Sequence, residues 1–355
     1  MSSILCVYKG PIISIITGTK QRQSSATIYK LLKTTLHLEE GKTKNTLKIL
    51  LDGEVSQTIY YYDHQGFRDL DKIASAPSTL VYSARWKGAS KFAIKKFIGD
   101  SSKDSIVNEI YLNKKVNSHP NIIQFYGLTK FQDENYSLVL EYAEGGTLGK
   151  YLRNDSISFE WESQLKFAKE IASAISWLHD DVGIIHGDLH SNNILIHKES
   201  IKLADFGRSC IKGSNYNTEV WGVIPYVDSK MLEMLIQKKP CVLTEKSDIY
   251  SLGVLFWELT SRKSPFGFEE KSQKHDCSLI NIISKSAREG PIKDTNDKFV
   301  VLYEKCWQHE PDNRPNINEV ILELNLINPE NKDVSTIPPE ENEENGKTES
   351  LCLPD

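Results

Sequence analysis

The chain has 355 residues, with 43 Lys and Arg against 48 Asp and Glu, for a formal net charge of −5. Hydrophobic residues make up 39% and charged residues 26%, which provides ample core material and excludes a collagen repeat, a small disulfide scaffold and a wholly disordered chain. Residues 330–355 hold eight acidic groups against Lys332 and Lys347, so residues 1–329 sum to about +1, and no basic excess points to nucleic acid as a partner.

In chain order, residues 1–65 read as an N-terminal extension of unknown role. A helical pattern runs from Thr27 to Leu38, followed by two apolar runs, Leu47–Leu51 and Val55–Tyr62, around the hairpin signal Asp52-Gly53. From about residue 68 the pattern is strand-rich. Leu80–Tyr82 and Phe92–Ile94 are predicted strands with a Lys87-Gly88 turn between them, residues 104–117 a helix, and Ile122–Tyr126 and Leu138–Leu140 two more strands. Beyond Gly145-Gly146 helices dominate. Leu165, Ala168, Ile171, Ala172, Ile175 and Leu178 mark one face of a helix over 162–179. Residues 247–260 are apolar nearly all round, as in a helix buried in a large core, and 297–306 and 316–326 add two more. From 329 the chain is rich in Pro, Glu and Asn and predicted to be disordered. A strand-rich half followed by a helix-rich half predicts an α+β fold of two lobes with a site between them.

Cysteines 6, 210, 241, 277, 306 and 352 form no C-x-x-C pair, a spacing that suits free thiols in a reducing compartment. No stretch approaches the roughly 20 apolar residues of a membrane helix, and Lys9, Gly10 and Pro11 break the apolar N-terminus. The expectation is a cytoplasmic or nuclear protein with no membrane partner. The pattern is silent on oligomeric state.

The chemistry begins at His186-Gly187-Asp188-Leu189-His190-Ser191-Asn192-Asn193, where a carboxylate stands five residues before an amide. Twelve residues past Asn193 comes Asp205-Phe206-Gly207, after a short apolar strand. An amide and a second carboxylate can hold a hard cation by oxygen ligands, as Mg²⁺ prefers, which leaves Asp188 to orient a hydroxyl. Upstream, Phe92-Ala93-Ile94-Lys95 puts a lysine on a strand and Glu109 lies on the following helix, the pairing that phosphate positioning requires.

Together with His119-Pro120-Asn121-Ile122, Asp248, Cys306-Trp307, Pro311 and Arg314-Pro315, this ordered set resembles the eukaryotic protein kinase family over about residues 68–326. The resemblance is to the serine/threonine, tyrosine-kinase-like branch. It implies a kinase domain over 66–328, with a small sheet-rich lobe (66–143) carrying one helix, a larger helical lobe (144–328), and 329–355 as an acidic tail. It implies ATP and Mg²⁺ as cofactors and a protein substrate. Lys95 would contact the α/β-phosphates and pair with Glu109, Asp188 would be the catalytic base, and Asn193 and Asp205 would hold the metal. Val81, Ala93 and Leu195 would sandwich the adenine. Leu140 would be the gatekeeper, with backbone hydrogen bonds from Glu141 and Ala143.

The departures from the family pattern bear on activity. Ala74, Ala76 and Thr79 stand at the three glycine positions of the phosphate loop, and Pro77 removes an N–H, so weakened ATP binding or slow turnover is expected. Gly187 replaces the usual Arg, which leaves no cation there to receive a phosphate on the loop carrying Ser209, Ser214, Tyr216 and Thr218. His190 replaces a lysine. Lys230 stands where a Glu would pair with Arg314, so Asp228 or Glu233 is needed in its place. The alternative reading is therefore a pseudokinase, a binding module with weak or no phosphotransfer. A hydrolase built on His186 and His190 lacks a third metal ligand.

Overall fold

The structure is a computed structural model that describes residues 37–40, 46–51, 54–88, 90–99, 103–131, 135–214, 220, 222–269 and 276–330. The N-terminal part builds one sheet from β1 (His37–Glu40), β2 (Thr46–Leu51), β3 (Glu54–Tyr62), β4 (Phe67–Ala76), β5 (Thr79–Trp86), β6 (Ser90–Phe97), β7 (Phe125–Thr129) and β8 (Ser137–Glu141). Their order is β1-β2-β3-β7-β8-β6-β5-β4. Every pairing is antiparallel except β3 with β7, which is parallel.

Alternation along the strands gives the sheet two apolar faces. Phe97, Phe125, Leu128 and Leu138 form a buried cluster with Ile106 and Ile110 of α1 (Lys103–Val116). Phe67, Ala84, Phe92, Ile94 and Val139 form another. Neighbouring residues of β8, Leu138 and Val139, thus go to different clusters. Phe125 and Leu128 share one despite their odd spacing, because the β7–β8 register shifts between Phe125 and Gly127.

The helical part contains α2 (Leu148–Leu152), α3 (Trp161–Ser176), α4 (Ser229–Ile236), α5 (Glu245–Ser261), α6 (Asp276–Ser284), α7 (Asp297–Cys306) and α8 (Ile317–Asn325). A π-helical turn, Trp177–Val182, extends α3. α5 is buried continuously from Ser247 to Leu259, as its all-round apolar pattern requires. Two short ribbons, β10 (Ile194–His197) with β11 (Ser200–Leu203) and β9 (Ile184–Ile185) with β12 (Cys210–Ile211), frame the Asp188–Asn193 and Asp205–Gly207 segments. This is the sheet-plus-helices, two-lobed architecture expected from the pattern. No helix among the described residues is long and apolar enough to cross a membrane.

Three expectations change. The helix predicted over Thr27–Leu38 does not reach its end: His37 and Leu38 lie in β1, where Leu38 pairs with Ile49, and the earlier residues lie outside the described ones. The strand predicted over Ile122–Tyr126 begins at Phe125. Ile122 instead makes a single parallel bridge to Leu203, so its apolar character serves the contact to β11. The extension is also more than an appendage beside the sheet, since β3 continues it. The Asp52-Gly53 dipeptide lies outside the described residues, but β2 and β3 flank it in antiparallel register, with Leu51 opposite Glu54. The acidic tail from 331 also lies outside them.

Candidate active site

Lys95 sits on β6 in the interior of the sheet, opposite Val81 of β5 and Leu138 of β8. Glu109 lies on α1 between the buried Ile106 and Ile110, so the apolar seat of the helix sets the position of its carboxylate. The Lys95 Nζ donates to Glu109 Oε1 at 2.5 Å and to Asp205 Oδ1 at 2.8 Å. Burial alone would lower the Lys95 pKa, but the Asp205 and Glu109 carboxylates outweigh it and hold it above the usual lysine value. One ammonium thus joins a strand, a helix and the loop after β11.

Asp205 adopts φ +68°, a left-handed conformation for a residue with a side chain, and such strain is kept where it orients a functional group. Phe206 is fully buried, its ring edge-on to His186 at 5.4 Å. A Cβ on Gly207 would stand 2.8 Å from Glu109 Oε2 and 3.2 Å from Asp205 Oδ1. Glycine is needed there because the two carboxylates close around its backbone.

The loop between β9 and β10 is held from below by Asp248 of α5, which is 1% exposed. Its carboxylate accepts the N–H of His186 at 2.8 Å and of Gly187 at 2.9 Å, and meets His179 Nε2 at 2.9 Å. Burial pushes the Asp248 pKa up, but the His179 contact and the loop donors prevail and hold it below the ordinary value. Asn193 Nδ2 donates to the Asp188 carbonyl at 2.8 Å, and the Ala204 N–H donates to the Asn193 carbonyl at 2.9 Å. These bonds lock Asp188, Asn193 and the segment entering Asp205 into one unit.

The Asp188 side chain is 4% exposed, with Arg208 Nε 3.4 Å from Oδ2 and His190 Nε2 3.7 Å from Oδ1. His190 Nδ1 accepts the Asn192 N–H, which places the ring proton on Nε2, toward Asp188. His186 is structural: Nδ1 accepts from the Asp188 N–H and Nε2 faces the Ala204 carbonyl. Both of its ring nitrogens are engaged, which removes the basis for a metal pair with His190. Arg208 is the residue that the motif reading passed over. Its signal was a cation directly after Asp205-Phe206-Gly207.

Val81, Ala93, Leu140 and Leu195 are all half-buried, and Leu140 packs against the cluster that seats α1. Ala93 is opposite both Ser83 and Leu140, and Leu195 bridges to Thr147 after the glycine pair. The Glu141 N–H is committed to the Gln124 carbonyl at 2.8 Å, and Ala143 follows half-buried. At the phosphate loop, β4 and β5 form a hairpin across Pro77-Ser78, with Ala76 opposite Thr79 and Ala74 opposite Val81. No residue from 73 to 80 has a positive φ. The backbone thus adopts this hairpin without the special dihedrals that glycine supplies.

Asp228 solves the problem posed by Lys230. Its two oxygens accept from Arg314 Nη1 and Nη2, each at 2.7 Å, in a bidentate pair with side chains 3% and 0% exposed. The rest of the guanidinium donates to the carbonyls of Gln308, Lys246 and His309. Lys230 turns away to Glu233 at 2.8 Å and Glu310 at 2.9 Å.

A cavity of about 370 Å³ opens beside Asp188, lined among others by Gly187, Arg208, Gly222, Val227 and Leu243. Gly187 has φ +75°, and a Cβ on it would meet Leu243 Cδ2 at 2.6 Å. Gly187→Ala is therefore expected to lower stability by more than the roughly 1–2 kcal/mol that a left-handed alanine costs. A denaturant titration of the two proteins checks this.

The description "Protein kinase domain" fits residues 68–324. The chain belongs to the protein kinase family. It is 32% identical over 272 residues to the LEAF RUST 10 disease-resistance locus receptor-like protein kinase-like 1.3 of Arabidopsis thaliana, covering 70% of this chain and 38% of that one. It is 32% identical over 261 residues to the probable serine/threonine-protein kinase gdt4 of Dictyostelium discoideum, covering 71% and 15%. With the serine/threonine-protein kinase STY17 of Arabidopsis thaliana the identity is 30% over 221 residues, covering 62% and 36%. The chain thus spans well under half the length of these relatives. Membership in the family implies ATP and a divalent metal in general terms.

Proposed function

We propose that the chain transfers the γ-phosphate of ATP to serine or threonine hydroxyls of proteins, with Mg²⁺ as the metal. The observation that carries this reading is the three-way contact of Lys95, Glu109 and Asp205, assembled beside an Asp188–Asn193 loop fastened to α5. Keeping a lysine buried between two carboxylates has little structural reward by itself. It has a clear use in neutralising the phosphates of a bound nucleotide. The serine/threonine assignment rests on the printed names of the relatives and on the resemblance of Gly222–Tyr226 to the substrate loop of that branch.

In this reading Lys95 holds the α/β-phosphates, and Glu109 and Asp205 hold Lys95. Val81, Ala93 and Leu195 clasp the adenine, Leu140 closes its rear, and the backbones of Glu141 and Ala143 bind its edge. Asp188 accepts the proton of the substrate hydroxyl as the oxygen attacks the γ-phosphorus and ADP departs. Asn193 and Asp205 supply an amide and a carboxylate oxygen. The Asn193 Nδ2 is tied to the Asp188 carbonyl, so Oδ1 is its ligand atom. No group of three His, Cys, Asp or Glu among the described residues could hold a metal by itself. The set suits Mg²⁺ that arrives with phosphate oxygens and water. When bound, it neutralises charge on the β- and γ-phosphates.

The glycine-free hairpin is what favours the pseudokinase alternative. Its pairing runs in register from Ala74 opposite Val81 to Ala76 opposite Thr79, just beyond a shift between Lys72 and Ala74, and Pro77 alone among its residues lacks a backbone N–H. Incubation with labelled ATP and a generic protein substrate, followed by phosphoamino-acid analysis, tests the assignment. Label on serine and threonine is expected. Label on tyrosine alone overturns the specificity, and no label in any protein favours the binding module.

A further inference from the structure

The segment before the kinase match bears on the Lys95–Glu109 pair. β3 lies wholly outside residues 68–324, yet it pairs in parallel with β7, Tyr61 opposite Leu128 and Tyr62 opposite Thr129. Its side chains alternate between the two faces of the sheet. Tyr62 stacks among Trp86, Phe67 and Phe92 at ring distances of 5.0, 6.0 and 5.7 Å. Ile59 is 2% exposed and shares a buried cluster with Ile106 and Ile110, and Tyr61 packs against the same cluster. Ile106 and Ile110 flank Glu109 on α1. The backbone of β7 makes room for this: a Cβ on Gly127 would lie 2.2 Å from the Tyr60 carbonyl oxygen, closer than any side chain can stand.

We propose that β3 is a positioning strand for phosphotransfer: Ile59, wedged into the cluster that seats α1, holds Glu109 on Lys95. Ile59 touches no substrate and acts through the helix. The reason is packing. A helix seated on a close-packed cluster shifts when one wall of the cluster is removed, because a well-packed interior has few alternative arrangements. Glu109 meets Lys95 at 2.5 Å, a contact that tolerates little displacement. The proposal rests on the kinase reading for its consequence in catalysis, but not for its structural claim.

The test uses the full chain and three variants. Ile59→Ala removes the wedge. Gly127→Ala pushes β3 off the edge of β7 without touching α1. Ile59→Val keeps most of the wedge. The first readout needs no turnover: the affinity for an ATP analogue, measured for the parent and each variant, and again with each combined with Glu109→Gln. Because Ile59 acts through Glu109, Ile59→Ala and Gly127→Ala are expected to weaken that affinity about tenfold when Glu109 is present and by less than about twofold once it is Gln. The second readout is steady-state kinetics. A roughly tenfold fall in kcat/KM for ATP is expected in both, equivalent to about 1.4 kcal/mol, while Ile59→Val stays within about twofold of the parent. An affinity that does not change, or that falls equally with and without Glu109, overturns the proposal, even if the thermal midpoints fall, since that combination describes a merely structural residue. If the parent transfers no phosphate, the kinase reading fails and the affinity cycle still decides the role of β3.

Discussion

Asp228→Ala is expected to lower the unfolding free energy by about 3–5 kcal/mol, the cost of stripping one partner from a buried ion pair. Both side chains are out of solvent, and the two 2.7 Å bonds are the carboxylate contacts of Arg314. The three backbone carbonyls around the guanidinium satisfy its N–H groups but carry no countercharge. Asp228 also accepts the Lys230 N–H at the start of α4, so the variant loses a helix cap as well. Lys230→Ala, by contrast, is expected to change stability little, because its partners are on the surface and screened by water. Denaturant unfolding of both variants checks the contrast. Equal effects would mean that Asp228 does not hold the Arg314 charge.

Lys95→Met is expected to reduce kcat/KM by about 10²–10³-fold, the scale for losing one preorganised charged donor at a reacting group. It also removes the cation that Glu109 and Asp205 share, so the two carboxylates face each other without it. The pH behaviour follows from the sign of the Lys95 shift. Its folded pKa lies above the ordinary 10.5, so its contribution to stability is fully present below pH 10.5 and is lost as the pH rises through the folded value. The parent protein is therefore expected to lose stability relative to Lys95→Met as the pH rises above that value, with no change in their difference near neutrality. Thermal unfolding of the pair across an alkaline pH series measures this.

The groups of the candidate site that were legible in the sequence are those set by short-range spacing. Asp188 and Asn193 lie in one loop, Asp205 opens a turn after an apolar strand, and Lys95 follows Phe92-Ala93-Ile94. Each position needed only local pattern to find. Glu109 needed one further step, since a helical stripe of Ile106 and Ile110 fixes which face is buried. What escaped the sequence was set by partners far along the chain. Asp248 stood out as part of the family pattern, but its partners, the N–H groups of His186 and Gly187, lie more than sixty residues back, and nothing local to a carboxylate leading an apolar helix names them. The choice between Asp228 and Glu233 as partner of Arg314 was open until the 86-residue separation was closed in space. The parallel pairing of β3 with β7 was illegible for the same reason. Its hairpin with β2 is local and was foreseen from Asp52-Gly53, whereas nothing in the run Val55–Tyr62 names its second neighbour. The departures at Ala74, Ala76 and Thr79 were plain in the sequence. Their consequence was not, because a regular hairpin without positive φ asks less of glycine than the family pattern suggests.

The most direct test of the central claim is phosphate transfer from labelled ATP with Mg²⁺ by the parent protein and by Asp188→Asn, measured side by side on a generic protein substrate and on the chain itself. The account predicts incorporation by the parent and a loss of about 10²–10⁴-fold in the variant, the range for removing a positioned general base, with nucleotide affinity unchanged. Equal incorporation by the two proteins, or none by the parent while it still binds ATP, would contradict it.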